Sequence, residues 1–255
     1  MPRRSFLGGF ALGAQALVGG SAYALSARVP EAMRTPGGAD QAYGQPSVHE
    51  QGVLRTEHQP AGFAVWRTPL QHHRGTITAG GLHFAVHHSG IPDIDPDAHE
   101  LKIHGLVRKP LRFSLDRLMR YPMVSRVLFI ECAGNSAANA MSPFAQDISV
   151  GELSGEVSCS EWTGVPLSYL LQEAGVRPEA RWVIAEGADA ASHARSLPLA
   201  PLLEQGMVAL YQNGERIRPS QGYPMRLLLP GAEGNVNVKW LHRLQLSERP
   251  AYTKD

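Results

Sequence analysis

The marks of a nucleotide, haem or zinc enzyme are missing from this sequence. No Gly-x-Gly-x-x-Gly follows a strand-like run and no Gly-Lys-Ser/Thr loop occurs, which removes the common glycine-loop routes to a nucleotide. Without Cys-x-x-Cys-His there is no covalent c-type haem in this chain, and without His-Glu-x-x-His there is no helical zinc-hydrolase motif. Cysteine is scarce: Cys132 and Cys159 are the only two, too few for a disulfide scaffold, so one bridge or two free thiols remain open. Charge of one sign is also lacking. A net charge of +1 argues against nucleic acid or an anionic membrane surface as partner. There is no internal repeat and no low-complexity tract. Hydrophobic residues still make up 43% of the 255, enough for a real core in one large or two small domains.

The N-terminus carries Arg3-Arg4 ahead of a Gly/Ala/Leu-rich stretch reaching about Ala27. That pattern predicts a twin-arginine export signal over 1–27, hence a periplasmic protein with no membrane span after signal removal. An N-terminal anchor is the alternative, and the many glycines weigh against it. Residues 28–81 are rich in Pro, Gly, Gln and His without period, and predict an extended arm or linker. A catalytic domain is expected over 82–248, with a tail over 249–255.

Within 82–248 the signals are mostly strands. Leu101 to Val107 alternates. Ser114 is placed to cap a short helix reaching Met119. Ser125 to Glu131 reads as a buried strand, and Gly164 to Gly175 as a helix opened by Pro166 and stopped by glycine. Further strands are expected at Arg181–Glu186, Met207–Gln212, Met225–Leu229 and Val236–Leu241 continuing through Leu244–Leu246. A short helix is expected before Glu204. Strands and helices do not alternate regularly, so the class is α+β with strand-rich mixed sheets.

Cys132 follows the apolar run Val127–Ile130 and precedes Ala133-Gly134-Asn135. A thiol just past a strand is held rigidly yet left open on one side, where its thiolate can ligate a soft metal. A small hydrophobe closing a buried strand is the competing account. His87, His88, Asp189, Arg195, Gln221, Arg226, Asn237 and Lys239 fall at strand ends or in loops. The cations among them are what a phosphate-bearing cofactor requires. A zinc site from His72, His73, His87 and His88 is disfavoured, because adjacent strand residues point to opposite faces.

Taken in order, the runs from His83-Phe84 to Pro92, Leu101 to Leu106, Phe129 to Asn135, Ser158 to Leu167, Ala185 to Ala190, Arg195 to Leu199, Gln221 to Arg226 and Pro230 to Trp240 resemble the sulfite oxidase family of molybdenum enzymes. Within that family they are most similar to the sulfane dehydrogenases of bacterial thiosulfate oxidation. The resemblance implies a sulfite-oxidase-type molybdopterin-binding fold. It makes Cys132 the molybdenum ligand, in a cofactor with one pterin dithiolene and no haem in this chain. It sets the pterin against Phe84, His87, His88, Asp189, Arg195, Ser196, Gln221, Arg226, Asn237, Val238 and Lys239. Asp189 would meet the pterin amino groups, and Arg226 and Lys239 the phosphate. Gln221 stands where some members have histidine.

The implied reaction is oxidation of sulfite or of sulfane sulfur on a carrier protein, with electrons passed to a c-type cytochrome subunit. Two family arginines that bind sulfite are replaced here, by Val86 and Ala137, which disfavours free sulfite. The family's C-terminal dimerisation domain is not matched by any part of this sequence. A molybdopterin-dependent sulfoxide reductase and a truncated, non-catalytic relative are the alternatives.

Overall fold

The computed structural model describes residues 30–58 and 64–254. The expected export signal at 1–27 lies outside them. The chain divides into two units, Met1–Pro46 and Ser47–Asp255. Among the described residues of the first, one 3-10 turn, Glu31–Met33, is the only regular element.

The second unit is built on three sheets. The first joins β1 (Thr56–His58), β2 (Ala64–Arg67) and β3 (Ala85–His87), all antiparallel. Two of these strands fall inside 28–81, where an arm was expected. They are three and four residues long, with Val65 their only buried side chain, so no alternation shows in the sequence. Pairing makes them strands, β1 on β2 and β2 on β3, not intrinsic pattern.

The other two sheets carry the core. One contains β5 (Leu111–Ser114), β4 (Glu100–Gly105), β13 (Leu241–Ser247), β8 (Trp182–Gly187) and β9 (Ala194–Pro198), in that order. The pairing of β13 with β4 is parallel and the rest are antiparallel, so the sheet is mixed. The other runs β11 (Glu215–Arg216), β10 (Met207–Gln212), β7 (Val157–Pro166), β6 (Val124–Glu131), with β12 (Arg226–Leu228) also on β10.

Alternation drives both. Leu101 and Ile103 on β4, Val183 and Ala185 on β8, and Leu244 and Leu246 on β13 are buried, between polar or half-buried neighbours. These residues share one apolar cluster with Val165, Val208, Leu210 and Leu227 of the other sheet. Strand β10 is buried on both faces: Met207 and Ala209 turn the other way, into a second cluster with Phe84, Ile130 and Trp162. That second cluster packs beneath the candidate site.

The helices are α1 (Leu115–Leu118), α2 (Ala137–Met141), α3 (Val150–Ser154), α4 (Leu167–Ala174) and α5 (Leu199–Gln205). Ser114 caps α1, its Oγ accepting the Arg117 N–H at 3.2 Å. On α4, Leu167, Leu170, Leu171 and Ala174 face the core, and Gly175 ends the helix at φ 69°. Gly164 to Pro166, expected inside this helix, instead close β7. Gly164 lies opposite Ala209, where a Cβ would come within 2.1 Å of the Val208 carbonyl oxygen.

The expected strand at 236–241 is also different. Asn237 N–H bonds back to Gly234, Trp240 has φ 51°, and β13 starts only at Leu241. The alternating apolar residues Val236, Val238 and Trp240 line a loop there, and that loop belongs to the site. Among the described residues no helix is long and apolar enough to cross a membrane.

Candidate functional site

Strand β6 delivers Cys132, and the loop after it is clamped by backbone and amide bonds. Cys132 N–H donates to the Glu156 carbonyl at 2.9 Å, and Asn135 N–H donates to the Cys132 carbonyl at 3.0 Å. The Asn135 amide donates to Glu131 Oε1 at 2.9 Å and accepts the Glu156 N–H at 3.1 Å. This is what the Gly-Asn turn does for the thiol: Asn135 fixes it to the start of β7, and Gly134 N–H points at Sγ from 3.4 Å. Burial pushes the thiol up to about 11, the Gly134 N–H opposes that, and the Glu156 carboxylate reinforces it. Both cysteines are free. Cys159 sits on β7 opposite Phe129, so the bridge left open by the sequence is not made.

Cys132 opens into a cleft of about 590 Å³. Phe84, His87, His88, Asp189, Arg195, Gln221, Arg226, Asn237, Val238 and Lys239 line it with Cys132. Ser196 does not. Its Oγ accepts the Ala251 N–H at 3.1 Å and fastens the 249–254 stretch to β9. Val86 and Ala137, the two positions where the resemblance expects arginines, also face the cleft. His72 and His73 do not, and no group of three potential metal-binding His, Cys, Asp or Glu side chains occurs among the described residues.

One group of contacts fixes the cations. Arg226, 3% exposed, donates from Nη1 to the Gln221 carbonyl at 3.0 Å and from Nη2 to the Asn237 carbonyl at 2.8 Å. Its guanidinium lies 5.1 Å from the centre of the Trp162 ring. Burial lowers its pKa to about 9. Gln221 Nε2 donates to the Phe84 carbonyl at 2.8 Å, joining the turn at 219–221 to β3. Lys239 Nζ reaches the Val86 carbonyl at 2.8 Å, His87 Nδ1 at 2.9 Å and the Ser220 carbonyl at 3.3 Å. Burial, then the charge of Arg226, drives its pKa well below the ordinary lysine value. His87 is held neutral, at about 3, by burial and then by Lys239. Gly222, at φ 109°, lets this turn approach Lys239: a Cβ there would meet Lys239 Cα at 3.0 Å.

A second group surrounds Asp189. Its Oδ1 accepts the His193 N–H at 3.1 Å, and its Oδ2 accepts the Ser89 hydroxyl at 3.4 Å. His193 in turn shares a hydrogen bond of 2.9 Å with the Asn235 carbonyl, and its ring stands edge-on to His88 at 5.8 Å. Asn237 orders the neighbouring loop. Its Oδ1 accepts the Leu229 N–H at 2.8 Å and its Nδ2 donates to the Ala232 and Glu233 carbonyls. That loop then closes on the thiol, for a Cβ at Gly234 would stand 3.4 Å from Cys132 Cα.

Sequence reasoning did not find Arg67, Glu156, His193 or Asn235, all of which line the cleft. Arg67 lies in a strand too short to show a pattern. His193 and Asn235 act through loop geometry. Glu156 lies just before the Ser158–Leu167 run, and only the pairing of that run with the strand leading to Cys132 brings it to the thiol.

The donor set fits a cofactor with a soft metal at one point and an anionic organic body elsewhere. A single thiol at the cleft is a one-point attachment for such a metal. Several polar atoms of the lining are buried without a partner among the described residues: His87 Nε2, Arg226 Nε and Asn235 Oδ1. Such atoms are costly unless a ligand satisfies them. The cleft volume also lies within the range usual for an organic ligand, roughly 300–1,000 Å³.

Comparison with known proteins agrees. Residues 88–254 match the family described as oxidoreductase molybdopterin binding domain. The chain is 35% identical over 195 residues to a nitrate reductase [NADPH] of Phytophthora infestans, covering 71% of this chain and 21% of that one. It is 31% identical over 190 residues to a nitrate reductase [NADH] of Ulva prolifera, covering 69% and 22%. The chain therefore spans about a fifth of the length of these relatives. The sulfane dehydrogenase SoxCD from Paracoccus pantotrophus, a solved structure, superposes with a TM-score of 0.83 at 38% identity, covering 88% of this chain and 58% of that chain.

Proposed function

The chain belongs to the family of oxidoreductase molybdopterin-binding domains, and on that premise we propose that it oxidises a sulfur centre, preferentially sulfane sulfur on a carrier protein. The observation that carries this is a single cleft holding the Cys132 thiol, the buried cations Arg226 and Lys239, and Val86 and Ala137 in place of anion-binding arginines. The likeness to a sulfane dehydrogenase over 88% of the chain supports the same choice. The cofactor, when bound, supplies two-electron oxygen-atom chemistry at molybdenum.

The side chains divide the remaining work. Cys132 ligates the metal through sulfur, and the Gly134 N–H and the Asn135 clamp hold that sulfur in place. Arg226 and Lys239 neutralise the phosphate end of the pterin. Both are turned inward by carbonyl contacts before any ligand arrives, so little side-chain ordering is left to be lost on binding. Asp189 accepts from pterin amino groups, with His88, His193 and Arg195 beside it. Phe84, His87, Gln221, Asn237 and Val238 complete the wall by shape and backbone. Ser196 acts at one remove, by anchoring the segment whose Lys254 carbonyl accepts from Arg195 at 3.4 Å. Electrons leave to a separate c-type cytochrome, and residues 1–27 direct the protein to the periplasm.

The test is molybdenum per chain, by elemental analysis of protein from a host able to make the pterin, in wild type and Cys132→Ser. About one metal in the wild type and none in a folded Cys132→Ser variant is the expected result. Full metal in Cys132→Ser overturns the ligand assignment. Oxidation of thiosulfate in the presence of sulfur-carrier proteins and cytochrome c then tests the substrate. Reduction of methionine sulfoxide or nitrate by the same preparation, without such oxidation, would reverse the direction proposed.

A further inference from the structure

The cleft contains an ion pair that the cofactor contacts do not use. Arg67, on β2, donates from Nε at 3.1 Å and from Nη2 at 3.0 Å to one oxygen, Oε1, of Glu156. The arginine side chain is 18% exposed and the carboxylate 8%, so the pair is largely withdrawn from water while still lining the cleft. Its position is built from the backbone. Thr68 N–H donates to the Gly155 carbonyl at 2.8 Å, and a Cβ on Gly155 would stand 2.9 Å from Arg67 Cβ. Glycine at 155 thus permits the approach that sets the guanidinium beside the carboxylate. Glu156 is meanwhile tied by its own N–H and carbonyl to Asn135 and Cys132. Arg67 is therefore the guanidinium coupled to the thiol loop, while Arg226 and Lys239 are committed to the carbonyls around Gln221, Asn237 and Val86.

We infer that Glu156 determines which charge class of substrate the Cys132 side of the cleft admits, by occupying the Arg67 guanidinium so that no small oxyanion can. The inference rests on the sulfur-oxidation function proposed above and narrows it. With Val86 and Ala137 uncharged, Arg67 is the arginine left beside the thiol loop that could hold a compact dianion, and its charge is cancelled internally. A dianion entering here must displace Glu156 and leave that carboxylate buried without its partner, which is strongly unfavourable. A sulfur centre presented on a longer, uncharged arm meets no such barrier.

The experiment uses the full chain and sulfate, an unreactive tetrahedral dianion, titrated by calorimetry at low ionic strength. Molybdenum content is measured on every sample, so absence of the metal, which would defeat the functional proposal, is read separately from anion binding. Wild type is expected to bind sulfate no more tightly than Arg67→Met. Glu156→Gln keeps the size and one acceptor oxygen but removes the charge, and is expected to bind at least tenfold more tightly than wild type. That gain should vanish in Glu156→Gln/Arg67→Met. Arg67-dependent sulfate binding by wild type overturns the inference, as does folded Glu156→Gln with no gain. Should Glu156→Gln not fold, Glu156→Asp, which draws the carboxylate back by one methylene, is expected to bind sulfate several-fold more tightly. No gain there is equally decisive against it.

Discussion

Acidification from pH 7.5 to 5 is expected to remove much of this protein's stability, and two buried histidines contribute most to the loss, with His99, His104 and His193, also lowered by burial, adding in the same direction. His83 and His87 are 1% and 4% exposed. Burial, as the largest cause, holds each at about 3, against 6.5 for the free side chain. At His83 a bond from the ring to the Phe84 carbonyl opposes the shift without reversing it, and at His87 the Lys239 ammonium adds to it. The native rings stay neutral while the unfolded chain takes up protons below 6.5. Stability therefore falls as the pH falls through 6.5 and goes on falling toward 3. Over the interval from 7.5 to 5 this is worth about 2 kcal/mol per ring, about 4 kcal/mol for the pair. A domain has only about 5–15 kcal/mol in total. Urea unfolding followed by tryptophan fluorescence measures it, since Trp162 lies edge-on to the His83 ring at 5.7 Å. The variant His83→Phe keeps a ring between Phe84 and Trp162 but cannot titrate, and should lose about 2 kcal/mol less than the wild type over this interval. A flat pH profile in the wild type, or equal losses in both proteins, would refute the reasoning.

Three further outcomes are expected. Gly105→Ala places a Cβ within 2.2 Å of the Leu246 carbonyl oxygen at φ +89°, so it should cost about 2–4 kcal/mol in urea unfolding. Arg226→Met leaves the Gln221 and Asn237 carbonyls without their donor; about 1–3 kcal/mol should be lost for each, and the molybdenum content of purified protein should fall with it. Ser114→Ala removes the cap of α1 and should cost about 1 kcal/mol while leaving molybdenum content unchanged, which separates general destabilisation from damage to the cleft.

How much could be read from the residues followed from how local each signal was. Strands that alternate over five or more residues, such as Leu101 to Gly105, announced themselves, and so did the capped helix at Ser114. The apolar run in Ser125 to Glu131 showed a strand but not its surroundings: it was expected to be buried, yet only Ile130 is, while Val127 and Phe129 stand exposed. The helix at 167–174 was visible, but its first turn was not. Gly164 to Pro166 suit a helix start equally well, and only pairing with β10 assigns them to β7. Residues 56–58 and 64–67 carried too few apolar positions to show a period. At the cleft, Cys132, Asp189, Arg226 and Lys239 were singled out through the ordered resemblance to a family, since each alone reads as a strand-closing thiol or a surface charge; the structure lines one cleft with them. Arg67 and Glu156 were not, since each looks like an ordinary surface charge until a backbone contact between Thr68 and Gly155 brings them together.

The place of β13 has a consequence for how this protein is made. It is the last strand in sequence among the described residues, yet it lies in the middle of its sheet, between β4 and β8. During synthesis the β4–β5 hairpin and the β8–β9 hairpin are complete long before residue 241 leaves the ribosome, and no strand of one pairs with a strand of the other. Their apolar faces, Leu101 and Ile103 on one and Val183 and Ala185 on the other, wait open on the nascent chain. Folding of this half is thus deferred until residues 241–247 have been made, when a single seven-residue segment locks the two hairpins together.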